Sequence, residues 1–452
     1  MSIFYTKEAS HVQWDLIDGT FDLPVLAQLG AYLEDYAWIF PDERLYRRFV
    51  EAIKGLIAAR VPIVAQMAAA VIRSHDPRRT FHVAKRYYRW LDNPRLDHRS
   101  LLKPAYAQTQ QWFADQTDEY LLVILDFSNL EKPYGYKFEQ LCTLKASGLR
   151  VGPRCRRGRV PGYNQLLALA VGQKKVGLTF AKTISYKAED FVSLNRDIFR
   201  AIRYSRVILK GHRLRFVCDR GFDDEKTFAF VMNLDEEFII RLYHNRLLEL
   251  RRGRARTEKL LEEVVKETRR PIRFQAWFKV RGRWRKCPVT LGYRKVWLPG
   301  HNQPYWLVVS NVYGIGQQWI LLTNVPIQSV QQAKEIWFNY RRRWSVENAF
   351  RFLKKEGLRW EDFKVLGWEA IRRLVNLVLI AAFFLLNIKY CLDETSLQLL
   401  LTLGGKLGLK SERDGPYLLL RGFQKLLACV NTLAVFKRYR QLDALLQLLD
   451  AL

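Results

Sequence analysis

The sequence has few cysteines, and none of them are spaced for a metal knuckle. Its six cysteines stand at positions 142, 155, 218, 287, 391 and 429 of 452 residues. No two are close enough in sequence for the paired spacing of a zinc site. Scattered thiols are typical of a protein in a reducing compartment, so we expect a cytoplasmic location.

The sequence also lacks a long uninterrupted apolar run. The longest covers residues 374–388 and is interrupted by Asn376 and Asn387. About 20 apolar residues are needed to cross a bilayer, so this run predicts a buried helix. The first residues, MSIFYTKEASHVQW, do not have the basic-then-apolar order of a signal peptide. We therefore expect no membrane partner.

Acidic residues are in the minority. The chain has 74 Lys and Arg against 45 Asp and Glu, a formal net charge of +29. An excess of this size indicates a polyanionic partner, with nucleic acid first and an anionic membrane surface second. Hydrophobic residues make up 49% of the chain, which predicts a globular protein with a sizeable core.

The residue patterns change along the chain, and they divide it into five parts with an α/β centre. Helical spacing dominates first, then apolar strands alternate with helices, then short basic strands follow one another, and finally helices return. The first part includes the basic, aromatic stretch 78–95, which favours DNA binding, although a solvated basic face is the commoner origin of such a pattern. The predicted parts are a helical DNA-binding region (1–116), the first part of a catalytic core (117–245), a β-rich basic insertion (246–326), the rest of the core (327–392) and a helical C-terminal region (393–452).

Two aspartates follow strongly apolar strands. Asp126 is predicted at the end of YLLVILDF, and Asp219 closes LRFVC just before Gly221. A carboxylate next to such a strand is costly unless it is paired or bound to a metal. Each aspartate alone is more often a turn or capping residue, but two such strand ends can meet at one edge of a sheet.

The segment FNYRRRWSVENAFRFLKKEGL supplies a third carboxylate. With 100° per residue, Tyr340, Arg343, Glu347 and Lys354 fall on one face of a predicted helix over 330–355. An adjoining apolar face, suited to docking on a sheet, is formed by Val346, Ala349, Phe350 and Leu353. An amphipathic helix with a solvated charged stripe fits the composition equally well.

The chemistry of these residues suits phosphoryl transfer. Three carboxylates and few histidines favour Mg²⁺, with Mn²⁺ as a substitute, because both ions prefer hard oxygen ligands. Two such ions can activate a water or a 3′-hydroxyl and stabilise the leaving oxygen of a phosphodiester. Arg343 and Lys354 would hold the phosphate, Arg through its fork geometry and Lys as a point charge.

With these residues in view, the sequence resembles the DDE transposases of the insertion-sequence-four family. That family's signature is Tyr, two residues, Arg, three residues, Glu, six residues, Lys, and residues 340–354 reproduce every gap. CDRGF at 218–222 is similar to the second aspartate motif, and the basic segment 238–246 follows it. Asp126 stands where the first aspartate belongs, and it is followed by Phe127 and Ser128, where relatives often have Thr two residues on. The resemblance covers residues 119–360 well and both ends loosely.

The resemblance implies a ribonuclease-H-like core with a β-rich insertion, two Mg²⁺ ions on Asp126, Asp219 and Glu347, and a prokaryotic host. It also implies that Trp319, at the end of the insertion, stacks on a flipped base, although a core tryptophan on a strand is an even alternative. The remaining residues expected to contact DNA are Tyr340, Arg343, Lys354, Arg220, Arg241 and Arg246.

Two basic clusters add to this picture. The first lies over 150–159 and includes Arg156 and Arg157, which we predict to grip backbone phosphates from a mobile loop. The second lies over 269–286 in the predicted insertion. The alternative is that these charged residues only keep the protein soluble. Solubility, however, does not require charges of a single sign.

The leading hypothesis is a cut-and-paste transposase that acts as a synaptic homodimer on its terminal inverted repeats and on target DNA. The resemblance implies nicking, hairpin formation, hairpin opening and strand transfer. The alternatives are a catalytically idle, transposase-derived DNA-binding or regulatory protein, and a ribonuclease-H-like nuclease that cuts without joining.

Overall fold

The computed structural model describes residues 24–71, 77–146, 148, 155, 158–280, 283–405 and 415–438. Its helices are α1 Pro24–Glu34, α2 Glu43–Ala59, α3 Val64–Val71, α4 Pro77–Leu91, α5 Lys103–Phe113, α6 Leu194–Ile208, α7 Glu225–Met232, α8 Leu261–Glu267, α9 Val330–Arg341, α10 Trp344–Arg351, α11 Trp368–Asn387, α12 Glu394–Leu403 and α13 Pro416–Arg438. Its strands are β1 Leu121–Glu131, β2 Cys142–Lys145, β3 Arg159–Val171, β4 Val176–Ile184, β5 Leu214–Cys218, β6 Glu237–Arg241, β7 Leu247–Arg252, β8 Ala255–Leu260, β9 Ile272–Val280, β10 Arg283–Val296, β11 Tyr305–Val312 and β12 Gln317–Thr323.

A mixed sheet of ten strands forms the centre. Its order is β2-β3-β1-β5-β6-β12-β11-β10-β9, with β4 paired to β3. Strands β1, β5 and β6 are mutually parallel, and β1 is antiparallel to β3, which is antiparallel to β4. Alternate residues of β1 enter different apolar clusters, so both faces of this strand are covered. A strand buried on both faces is expected to be a continuous apolar run, which explains the sequence of β1.

The predicted β-rich insertion is built from antiparallel strands, as expected, but it is continuous with the central sheet. Strands β9 to β12 pair in sequence order, and β12 then pairs with β6. The charged segment 257–266 is divided between β8 and α8. A separate two-stranded sheet is formed by β7 and β8.

The first and last helices share one core. Helix α11 packs against α2, α4 and α13 and against strand β4. It is the one helix in the described part of the chain that is long and apolar enough to cross a membrane, and its apolar window is 94% buried inside the fold. Asn387, one of the two interrupting residues, bonds both backbone groups of Val176, at 3.1 and 2.9 Å. The prediction of a buried helix over 374–388 is confirmed.

Candidate active site

The two aspartates lie side by side in the sheet. Strands β1 and β5 pair in parallel, and the last pair in that register is Leu125 with Cys218. Asp126 follows Leu125 and Asp219 follows Cys218. The two aspartates therefore stand next to each other, directly after the last paired residues. The predicted juxtaposition of Asp126 and Asp219 therefore holds in the structure.

Asp126 is not at the end of its strand, contrary to the sequence prediction. Strand β1 continues to Glu131, and from Asp126 onward it keeps only its antiparallel partner β3. The reason is that β5 ends at Cys218, where the chain turns through Arg220–Phe222. The Asp126 side chain, just beyond the last residue paired with β5, is 16% accessible.

The helix that carries Glu347 is interrupted, which corrects the prediction of one helix over 330–355. Helix α9 begins with a capping box between Ser329 and Gln332 and ends at Arg341. After a tight turn at Arg342 and Arg343, α10 runs from Trp344 to Arg351, and a π-helical turn follows. The guanidinium of Arg342 donates to the carbonyls of Val171 and Gly172, at 3.1 and 2.7 Å, and so fastens the turn to the end of β3.

The apolar face predicted next to Glu347 does dock on the core. Val346, Ala349, Phe350 and Leu353 are all buried. Glu347 itself is half exposed, with 49% of its side chain accessible. Helix α10 therefore has one packed side, and its carboxylate stands at the border of the site.

Arg343 connects two of the three carboxylates. Its Nη1 donates to Asp126 Oδ2 at 3.0 Å, and its Nη2 donates to Glu347 Oε1 at 2.5 Å. Tyr340, one turn earlier, donates its hydroxyl to Asp219 Oδ1 at 3.1 Å. Arg241 Nη1 lies 4.0 Å from the same Asp219 oxygen. The signature residues Tyr340, Arg343 and Glu347 thus converge with both aspartates, as the spacing predicts.

The electrostatics of this cluster are those of crowded carboxylates around one cation. Burial raises the pKa of the Asp126 carboxyl to about 7; Arg343 opposes this rise, and the charges of Asp219 and Glu347 add to it. Burial by itself lowers the pKa of Arg343, but Tyr340 and the facing carboxylates raise it well above its ordinary value. Arg343 therefore remains charged, while Asp126 is held in surroundings that favour its neutral form.

A second network positions helix α9, and the sequence interpretation missed it. Arg215, buried in β5, contacts Glu237 and Glu335 at 2.6 Å each, and its guanidinium covers the ring of Tyr120 at 3.4 Å. Asn339, next to Tyr340, donates to the Tyr120 hydroxyl at 2.9 Å. An arginine inside the apolar run LRFVC was the available signal, because a buried charge requires a partner.

Lys354, the last residue of the signature, does not contact the three carboxylates. Its Nζ lies 3.3 Å from Glu361 Oε1, and the same oxygen accepts from the backbone of Glu131 at 3.3 Å. Lys354 therefore sits beside the far end of β1, five residues beyond Asp126, a distance of about 17 Å along a strand. The prediction that Lys354 lies beside the carboxylates is wrong in this structure, because the seven residues after Glu347 carry the helix along β1 and away from Asp126.

Trp319 is a core residue, which contradicts the prediction that its ring is presented to DNA. Only 2% of it is exposed. Its ring stacks on Trp337 at 5.1 Å and meets the edge of Tyr340 at 5.3 Å, and its Nε1 donates to Gln317 at 3.1 Å. Trp319 therefore supports the wall behind Tyr340, which is the core-tryptophan alternative.

The other predicted DNA contacts differ in their availability. Arg246 is held by Asp223 at 2.6 Å and by Glu225 at 3.0 Å, so its charge is already compensated inside the fold. Its assignment as a DNA contact stays a prediction. Arg241 donates to the Gln318 carbonyl at 3.2 Å beside Asp219, and Arg220 stands in the turn that follows Asp219. Arg156 and Arg157 lie outside the described residues.

The donor chemistry of the site fits a hard divalent cation, and the geometry fits in part. Asp126 and Asp219 are register neighbours whose mutual repulsion a cation would relieve. Arg343, however, stands between Asp126 and Glu347. Within the described ranges no three His, Cys, Asp or Glu side chains are close enough together to hold a metal ion. Asp126 and Asp219 therefore fit a cation, and Glu347 joins them only without its bond to Arg343.

One comparison with known proteins, against a protein-family model, matches part of the chain. Residues 167–384 match the family model described as a transposase DDE domain. This match supports a DNA transposase of the DDE type. The DDE-domain match contains Asp219, Tyr340, Arg343 and Glu347 and begins after Asp126. Transposases of this type act on DNA and generally depend on divalent metal ions.

The other comparisons add little to the DDE-domain match. No curated protein matches the chain. Among solved structures, a cryo-EM structure of a piggyBac transposase synaptic complex with hairpin DNA is similar at a TM-score of 0.42. That similarity has 10% sequence identity and covers 93% of this chain and 80% of that one. A likeness this low carries no argument about the fold or the reaction.

Proposed function

We propose that this chain is a cut-and-paste transposase of the insertion-sequence-four type, which cleaves the ends of an insertion sequence and joins them to target DNA. The observation that carries the proposal is the convergence of Asp126, Asp219 and Glu347 around Arg343 and Tyr340. Carboxylates gathered in one place can hold the metal ions that this chemistry uses. The DDE-domain match over 167–384 supports the broader part of the proposal, a DDE-type transposase.

The core of the proposed enzyme is ribonuclease-H-like. The strand order supports this: β4, β3 and β1 form an antiparallel series, and β5 and β6 continue the sheet parallel to β1. The two aspartates follow neighbouring parallel strands in this arrangement. The chain from β7 to β12 separates the second aspartate from the glutamate, which corresponds to the insertion that the resemblance implies.

Asp126, Asp219 and Glu347 would hold two Mg²⁺ ions, with Mn²⁺ as a substitute. Such ions lower the pKa of a bound water or 3′-hydroxyl and stabilise the leaving oxygen of a phosphodiester. The chain's own residues supply the surroundings. Tyr340 orients the carboxylate of Asp219 through its hydroxyl, and Arg343 offers a planar fork that suits a DNA phosphate as well as a carboxylate.

The proposed reaction begins with a nick at the transposon end and proceeds through a hairpin, hairpin opening and strand transfer. The hairpin step rests on the family resemblance. The proposed partners are the terminal inverted repeats, target DNA and a second copy of this chain in a synaptic complex, within a prokaryotic cytoplasm. The helical region 1–116 and residues Arg220 and Arg241 are proposed to contact DNA.

One observation favours a second candidate, a DNA-binding or regulatory derivative without catalysis. Arg343 pairs with Asp126 and Glu347 at the same time, so these two carboxylates already share a cationic partner within the chain. A protein that had lost catalysis could keep this arrangement together with its basic surface. The presence of all three carboxylates favours the enzyme.

The decisive experiment uses purified protein and end-labelled duplexes that carry the inverted repeats flanking the reading frame. Products are followed on denaturing gels in Mg²⁺ and in EDTA for wild type, Glu347→Gln and Glu262→Gln. Glu262 is a matched control because its carboxylate is exposed in α8, where it pairs with Lys266. We expect metal-dependent nicks and hairpins for wild type and Glu262→Gln, and none for Glu347→Gln.

Other outcomes select the alternatives. Binding without cleavage in either Mg²⁺ or Mn²⁺ would establish the regulatory derivative. Cleavage without joined products, in the presence of target DNA, would establish a nuclease.

A further inference from the structure

Strands β9 and β10 continue beyond the central sheet as a two-stranded ribbon. They pair from Ile272 with Leu291 out to Val280 with Arg283. Strand β10 pairs with β11 only from Val289 to Val296. Among the described residues, no third strand therefore lies beside 276–280 and 283–287. We call this part the ribbon.

Side chains alternate between the two faces of the ribbon. Its inner face carries Ala276, Phe278 and Cys287, all buried, and Phe278 packs at 6.2 Å from Trp319 and 5.4 Å from Trp344. Because successive residues of a strand point to opposite sides, Trp277 and Lys279 point to the other, outer face. Trp284 and Lys286 stand directly opposite Lys279 and Trp277 and share that outer face.

The outer face presents two large aromatic rings to solvent. Trp277 is 48% exposed and Trp284 is 45% exposed. In this register the two tryptophans are diagonal neighbours, with Cα atoms about 7–8 Å apart. Lys286 Nζ lies 5.5 Å above the centre of the Trp277 ring. Two half-exposed tryptophans on a protruding ribbon are costly to hydrate, so they indicate a binding surface.

The charge around these rings has one sign. Between Thr268 and Val296 the sequence contains ten Lys and Arg and no Asp or Glu. On the outer face, Lys279 and Lys286 form no ion pair with a carboxylate in the part of the chain that the structure describes. A ligand that lies on this face therefore meets uncompensated positive charge together with flat apolar rings. This combination suits an anionic chain that carries planar bases.

We propose that the outer face of the ribbon binds an unpaired DNA strand, with bases stacked on Trp277 and Trp284 and phosphates placed near Lys279 and Lys286. Bases within a duplex are stacked on one another and cannot lie on these rings, so the surface selects single-stranded DNA. Stacking on an aromatic ring uses the flat face that every base has. The surface is therefore expected to prefer single-stranded over double-stranded DNA without preferring a base sequence.

This inference deepens the proposed function, on which it rests for the source of the unpaired strand, since end processing releases one. The ribbon is held next to the carboxylate site: Arg341, the last residue of α9, donates to the Trp277 carbonyl, and its guanidinium covers Phe278 at 5.1 Å. A strand on the ribbon is therefore close to the helix that carries Tyr340.

The test measures binding in EDTA, so it does not depend on cleavage. Fluorescence anisotropy with labelled 15-nucleotide oligo(dT), and with a duplex of the same length, is compared for wild type, Trp277→Ala/Trp284→Ala and Tyr134→Ala. Tyr134 is the matched control, because its ring is 68% exposed and it follows β1, outside the ribbon and outside the regions proposed to contact DNA. We expect the double variant to bind oligo(dT) about tenfold more weakly for each ring lost. Duplex binding should change by less than about threefold, and Tyr134→Ala should behave as wild type.

Two further variants separate stacking from charge and from misfolding. Trp277→Phe/Trp284→Phe keeps a ring at each position and should recover most of the affinity. In Lys279→Gln/Lys286→Gln, the dependence of log affinity on log salt should become shallower by roughly 0.7 for each phosphate contact removed. An oligo(dT) carrying 5-iodouracil should crosslink to Trp277 or Trp284.

Several results would overturn the inference. Unchanged oligo(dT) affinity in the double alanine variant, or an equal loss for oligo(dT) and duplex, would remove the stacking surface. A larger loss on vesicles of anionic lipid than on oligo(dT) would make the ribbon a membrane contact instead. If wild type fails to cleave and the oligo(dT) results hold, the proposed reaction is lost and the ribbon's binding role stands.

Discussion

The carboxylate site and the β9–β10 ribbon are both rich in cationic side chains. In the site these side chains are paired with carboxylates, whereas on the ribbon they face solvent. In the site, Arg343 pairs with Asp126 and Glu347, and nearby Arg246 pairs with Asp223 and Glu225. On the ribbon, Lys279 and Lys286 share one exposed face with two tryptophans. The charges of Arg343 and Arg246 are therefore compensated by carboxylates within the fold, whereas those of Lys279 and Lys286 are left for a ligand.

The same contrast separates two kinds of tryptophan. Trp319, beside the site, is 2% exposed and lies within a cluster of rings, whereas Trp277 is 48% exposed. Burial converts an aromatic ring into a structural support, and exposure leaves it free to stack on a ligand. The four predictions below test whether the site and the ribbon have these separate roles.

The largest effect is expected at the aspartates. Asp126→Asn and Asp219→Asn should each reduce end cleavage by about 10³-fold, since each removes a charged ligand on which the chemistry depends. Rates of nicking in Mg²⁺ measure this. Asp224→Asn is the control: Asp224 caps α7, and asparagine caps a helix about as well as aspartate. Cleavage retained within tenfold in either site variant would exclude that aspartate from the active site.

Replacing Trp319 should damage the fold more than any change on the ribbon. Trp319→Ala leaves a cavity next to Trp337 and Tyr340, and it should lower the free energy of unfolding by about 3–5 kcal/mol. Trp277→Ala should change it by no more than about 0.5 kcal/mol. Urea denaturation measures both. A stable Trp319→Ala protein with selectively weakened DNA binding would restore the base-stacking role that the burial of Trp319 contradicts.

Removing Arg343 should leave a buried carboxylate without its partner. Arg343→Ala should lower the free energy of unfolding by about 3 kcal/mol. In a double-mutant cycle, Asp126→Asn should recover part of this loss, because the neutral amide no longer requires the cation. Additive effects of the two substitutions, measured by urea denaturation, would show that Arg343 does not compensate Asp126.

The smallest effect is expected at Tyr340. Tyr340→Phe removes the hydroxyl that donates to Asp219 and keeps the ring against Trp319, so the free energy of unfolding should fall by only about 1 kcal/mol. Cleavage should fall more than this loss of stability explains, because the orientation of Asp219 is lost. Wild-type cleavage in Tyr340→Phe would make the hydroxyl dispensable for orienting Asp219.

Long apolar patterns made much of the fold predictable. The strands around Asp126 and Asp219 and the buried helix over 374–388 are continuous apolar runs, and their surroundings follow from that composition. The break between α9 and α10 was not predictable, because residues 340–344 contain neither glycine nor proline. It is associated with bonds from Arg342 to the carbonyls that end β3. The burial of Trp319 was not predictable either, because a strand pattern does not show which aromatic rings pack against the strand in the fold.

The three carboxylates, the spacing of Tyr340, Arg343 and Glu347, and the sign and size of the net charge can be read from the sequence. Which cations are already paired and which face solvent can be read only from the fold. The physical reason is that an ion pair depends on distance in space: Arg343 and Asp126 are 217 positions apart in the chain and 3.0 Å apart in the fold. Spacing along the chain brought Arg343 to Glu347, and the packing of α10 against the sheet brought both to Asp126.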